Sequence, residues 1–175
     1  RQALIRGNTP DFNLEIAFSD IEPEDIELLS RELDLRDTTP TTLEALISSF
    51  GPQNWLKEFR SMRVGATIQD ENGKKFPAPD SVAAWANKAG VNVIAAEGLR
   101  SKLNRLFNRP YLLEKPAADG VSQIVQALEA GQHVVLSFGD NETDLDYLLV
   151  CNLLTRRIRE HWEAVSYTHL TLPTI

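Results

Sequence analysis

Gly131-Gln132-His133-Val134-Val135-Leu136-Ser137-Phe138-Gly139 is the stretch on which the reading of the fold turns. A short, β-branched, mostly apolar run between turn signals has the character of a parallel strand covered on both faces. Upstream, Val121, Ile124, Val125 and Leu128 recur at helical spacing, so residues 119–130 predict a helix that Gly131 stops. Downstream, residues 143–163 predict a second helix, roughly 30 Å long. Its first half, Tyr147-Leu148-Leu149-Val150-Cys151-Asn152-Leu153-Leu154, is apolar nearly all round, which predicts burial on several sides. In its second half Leu154, Ile158 and Trp162 continue one face. Helix, strand and helix in that order point to an α/β fold.

The same signals continue toward the start of the chain. Leu14, Ile16 and Phe18 alternate with polar residues and predict a strand over 13–18. Pro23, Glu24 and Asp25 suit the first turn of a helix, with Ile26, Leu29 and Leu33 as its apolar stripe. A second helix start is marked by Thr38-Thr39-Pro40, followed by Leu43, Leu46, Ile47 and Phe50, and Gly51-Pro52 ends it. Residues 54–62 predict a further short helix carrying Trp55, Leu56 and Phe59. Residues 69–79 are polar and proline-bearing and read as a surface loop. Asp80 or Ser81 suits the cap of a helix over 82–89, and Gly90 its end. Residues 97–108 predict an amphipathic helix, with Leu99, Leu103, Leu106 and Phe107 inward and Arg100, Lys102 and Arg105 outward. Tyr111-Leu112-Leu113 completes three strand candidates in an otherwise helical chain. A purely helical domain is therefore the competing fold, and the central stretch reads as a helical insertion between sheet strands.

The chain has 175 residues, 18 basic against 25 acidic, for a net charge of −7, and 42% of it is hydrophobic. That balance excludes a disordered chain and argues against a free-standing nucleic-acid binder. No apolar run approaches the ~20 residues that span a bilayer, so no membrane partner is expected. Cys151 is the only cysteine, which excludes an internal disulfide and points to a reducing, cytoplasmic setting. Residue 1 is Arg and the only methionine is Met62. Residues 165–175, Val-Ser-Tyr-Thr-His-Leu-Thr-Leu-Pro-Thr-Ile, carry no formal charge and no helical period. Back-translated, they resemble a transposon mosaic end running into a sequencing adapter. The expectation is that residues 1–164 are the natural part, an internal piece of a longer protein, and that 165–175 are not.

Catalytic motifs are missing from the sequence. It has no G-x-x-x-x-G-K-[ST], no G-x-G-x-x-G, no C-x-x-C, no H-E-x-x-H and no G-x-S-x-G. Cys151 is expected to be a core thiol, His133 structural and His161 solvated. Two charged clusters remain as candidates. Asp140 and Glu142, with Asp144 and Asp146, follow the expected strand; they either cap the next helix or sit at the carboxyl end of a sheet, where ligands and neighbouring subunits lie. Arg156, Arg157 and Arg159 either form an ordinary basic helix end or contact DNA phosphate or ATP across a subunit interface. The same pair of readings applies to Arg100, Lys102, Arg105 and Arg109, while Lys74 and Lys75 either touch DNA or are ordinary loop lysines.

Residues 128–139, followed by Asp144-Leu145-Asp146-Tyr147-Leu148-Leu149-Val150 and Leu154-Thr155-Arg156-Arg157-Ile158-Arg159, resemble the central ATPase domain of the HerA-like family. Residues 14–33, with their Asp-Ile-Glu-Pro-Glu-Asp-Ile turn, are similar to the family's segment after its second core strand. The resemblance covers most of 1–163. It implies a partial RecA-like P-loop NTPase sheet with a mostly helical insertion, in a DNA translocase or helicase that acts on double-stranded DNA as a homo-hexamer, with a nuclease as a further partner. It also implies ATP and Mg²⁺ in the full-length protein, with the phosphate-binding loop upstream of residue 1 and the Walker B strand just after Glu163. No catalytic, cofactor or metal residue then falls within 1–164, and the piece alone is expected to be inactive. A non-catalytic helical interaction or regulatory module is the alternative.

Overall fold

A computed structural model describes residues 9–139 and 143–170, with side chains through residue 164. The chain is mixed helix and strand with a small parallel sheet. The strands are β1 (Ile16–Ala17), β2 (Thr67–Gln69), β3 (Lys75–Pro77) and β4 (Leu112–Leu113). The helices are α1 (Pro23–Leu28), α2 (Thr39–Phe50), α3 (Trp55–Ser61), α4 (Val82–Ala89), α5 (Val93–Phe107), α6 (Gly120–Glu129) and α7 (Asp144–Leu170). Strand β1 pairs with β4, and β2 with β3. The described residues divide into two compact units: residues 17–115, and residues 9–16 with those of 116–170.

The unit at 17–115 is built around helix faces that the sequence marks in advance. Ile26, Leu29, Leu33, Leu43, Leu46, Trp55, Leu56, Phe59, Leu103 and Leu106 are almost wholly buried. Aromatic edges lock the helices together: Phe59 meets Trp85 with ring centroids 5.8 Å apart, and Phe18 meets Phe107 at 6.0 Å. The Trp85 indole N–H donates to Ser49 Oγ at 3.1 Å, so its polar end is satisfied. Ser81 caps α4 by accepting from the Ala84 N–H at 3.1 Å, and Gly90 ends that helix with φ +72°. Asp80, the other cap candidate, instead pairs with Arg63 at 2.6 Å. Residues 67–77 form an exposed antiparallel hairpin rather than the expected loop, with Ile68 opposite Phe76. Asp70 and Gly73 close its turn: Asp70 Oδ1 accepts from the Asn72 and Lys74 N–H groups, and Gly73 takes φ +75°. An Asn-Gly pair favours such turns.

The other unit rests on α6 and α7. Val121, Ile124 and Val125 of α6 are buried, as are Leu145, Leu149, Val150 and Leu153 of α7. Asp119 caps α6, accepting from the Ser122 N–H at 3.0 Å and from its hydroxyl at 2.5 Å. Residues 14 and 15 press on the start of α6 at Gly120, and the Ala117 N–H donates to Glu15 Oε2 at 2.6 Å.

Three expectations are corrected here. Residues 133–139 do not form a strand, and Val135 is 91% exposed. A strand is held by ladder hydrogen bonds to a neighbour; this run has no strand partner among the described residues, and Phe138 instead packs on Tyr147 of α7 with ring centroids 4.1 Å apart. The strand expected at 13–18 shrinks to Ile16–Ala17, because residues 18–20 turn into a short 3₁₀ helix that Asp20 ties back to the Ala17 N–H at 3.2 Å. Helix α7 is not buried on several sides: Tyr147, Leu148 and Cys151 are exposed. Its 27 residues make it about 40 Å long, and its backbone stays helical through residue 170. Once a helix is formed, each added residue gains a hydrogen bond, and no helix breaker precedes Pro173.

Candidate functional site

A shallow polar groove lies between α6 and α7, lined by Val121, Ser122, Val125, Gln126, Glu129, Arg157, Glu160 and His161. Helical spacing explains the lining. Ser122, Val125, Gln126 and Glu129 recur three or four residues apart on α6, and Arg157, Glu160 and His161 do so on α7. His161 Nε2 lies 2.7 Å from Glu129 Oε1 and bridges the two helices. At the other end Asp119 faces the positive field of Arg157. Partial burial raises the Asp119 pKa, but the hydrogen bonds from Ser122 and the Arg157 charge outweigh it, and the net shift is downward. The groove is thus crossed by one polar contact, His161 to Glu129, near the end of α6.

The arginine candidates are spread round α7 rather than gathered. Arg156 reaches Glu160 at 3.4 Å and Arg159 reaches Glu163 at 3.5 Å, each one helical turn away. Arg157 alone turns into the groove. Asp140 and Glu142 lie outside the described residues. Their neighbour Asp146 is fully buried and closes the start of α7, with Oδ2 accepting from the Thr143 hydroxyl at 2.5 Å. Thr143 Oγ1 in turn accepts from the Asp146 N–H at 3.3 Å, so Thr143 caps the helix and Asp146 supports it from the first turn.

The basic residues of α5 hold the other unit together. Arg100 Nε donates to the Phe59 carbonyl at 2.7 Å and Nη2 to the Arg60 carbonyl at 2.5 Å, at the exposed end of α3. Burial, and then the nearby Arg60 charge, lowers the pKa of Arg100. Lys102 Nζ donates to the Asp34 carbonyl and pairs with its carboxylate at 3.1 Å, and Arg105 donates to the Glu32 carbonyl at 2.5 Å. All three satisfy carbonyls that helix and turn ends leave open. Lys57 pairs with Glu114 at 2.8 Å, which raises the lysine pKa and lowers that of the carboxylate.

The starts of α6 and α7 are already occupied by carboxylates. Phosphate binding at a helix start needs free N–H groups. At α6 the Asp119 carboxylate already accepts there, and at α7 the buried Asp146 carboxylate stands in the first turn, so a phosphate would meet negative charge at both. No group of three or more His, Cys, Asp or Glu that could hold a metal ion occurs among the described residues.

The His161–Glu129 contact is the feature that sequence reasoning missed. Its partners are 32 residues apart, and no local pattern links them. No family model, curated protein or solved structure matches the chain. Among the described residues no helix is long and apolar enough to cross a membrane.

Proposed function

We propose that the chain is an internal piece of a HerA-like ATPase, a motor that couples ATP hydrolysis to movement along double-stranded DNA. The observation that carries the reading is the sequence pattern at 128–139 and 144–159, reinforced by residues 14–33. The division of the chain supports it: a helix-rich unit at 17–115 is set within the two segments of a second unit, the arrangement expected of an insertion in a sheet domain. On this reading the strands bearing the phosphate loop and the Walker B carboxylates lie in the flanks, and residues 133–139, which form no strand here, would pair only in their presence. The chain contributes scaffold: α6 and α7 pack beside the sheet, and α7 leads toward the catalytic carboxylates. Phosphoryl transfer needs backbone N–H groups and a Lys around the phosphates, Mg²⁺ held by Ser/Thr and Asp, and a group that orients water. The flanks supply all of these, and the ring assembly, the nuclease partner and the cytoplasmic setting belong to the same proposal.

The test is the parent protein, carried far enough in both directions to include the flanks. Its ATP hydrolysis should rise on adding duplex DNA and vanish when the phosphate-loop Lys is changed to Ala. A parent that hydrolyses no ATP with or without duplex DNA overturns the proposal.

A further inference from the structure

No further inference is drawn: the strongest candidate, the exposed apolar pair Val134 and Val135 in the segment between α6 and α7, carries nothing because nothing in the structure shows what covers it.

Discussion

Replacing Gly120 with Ala sets two effects of opposite sign against each other. A Cβ at this position would stand 2.9 Å from Leu14 Cδ1, 3.1 Å from the Glu15 carbonyl oxygen and 3.2 Å from the Glu15 nitrogen. The leucine methyl can swing away. The Glu15 backbone cannot move freely, because its side chain accepts from the Ala117 N–H and Ile16 follows it in β1. Overpacking of this kind costs about 1–3 kcal/mol. Ala gains up to about 1 kcal/mol over Gly in a helix, and less at the first position. The clash wins, and the net loss is about 1–2 kcal/mol. Native-state amide exchange over residues 124–128 should then run roughly 5- to 30-fold faster, the equilibrium factor for that free energy. Gly98 in α5 is the control, since a Cβ there meets nothing within 4 Å. Gly98→Ala should stabilise by about 0.5–1 kcal/mol and slow exchange over residues 99–103. If Gly120→Ala leaves exchange in α6 unchanged or slows it, the close approach of residues 14 and 15 is wrong.

Three further outcomes are expected. The Asp119 pKa is depressed in the folded state, so its contribution is present above the unfolded value near 3.8 and is lost as pH falls through the lower, folded value. Protection of α6 should therefore weaken below about pH 4, and Asp119→Asn, which keeps an accepting oxygen, should flatten that dependence; an unchanged acid profile refutes the assignment. Val135→Lys places a charge in an exposed, uncharged β-prone run and should raise the concentration at which the chain aggregates, with stability within about 0.5 kcal/mol of the parent; light scattering with the same onset for both chains refutes it. ATP with Mg²⁺ should leave the melting temperature of this chain unchanged, because the phosphate-binding motif is absent from its sequence. A nucleotide-dependent rise contradicts that expectation.

The helices were largely legible in the sequence and the sheet was not. Leu43, Leu46, Trp55, Leu56, Phe59, Leu99 and Leu103 mark their buried faces by spacing alone, and Ser81, Gly90 and Asp119 mark ends through local backbone chemistry. Strand pairing is non-local, so Val134, Val135 and Leu136 predict a strand on character while the ladder depends on residues elsewhere. The hairpin at 67–77 escaped for a different reason. Its Asn72-Gly73 signal was present, but Ile68 and Phe76 stay exposed, and the polar composition around them reads as loop. Cys151 is exposed although a nearly all-apolar run predicts burial on several sides, because only the Leu145, Leu149, Val150 and Leu153 face of α7 is covered. Of the charged candidates, the acidic first turn of α7 was readable in Asp144 and Asp146, but the cap is Thr143 rather than an Asp or Asn. The spread of Arg156, Arg157 and Arg159 round α7 followed from helical geometry, and the groove into which Arg157 turns did not, because its other wall is set by tertiary packing.

The most direct measurement is the sequence of the uninterrupted gene on both sides of this chain. The account predicts a G-x-x-x-x-G-K-[ST] loop upstream of Arg1. It also predicts, soon after Glu163 and in place of residues 165–175, an apolar strand ending in a pair of acidic residues. A start codon near Arg1 together with a stop codon just after Glu163 would contradict it.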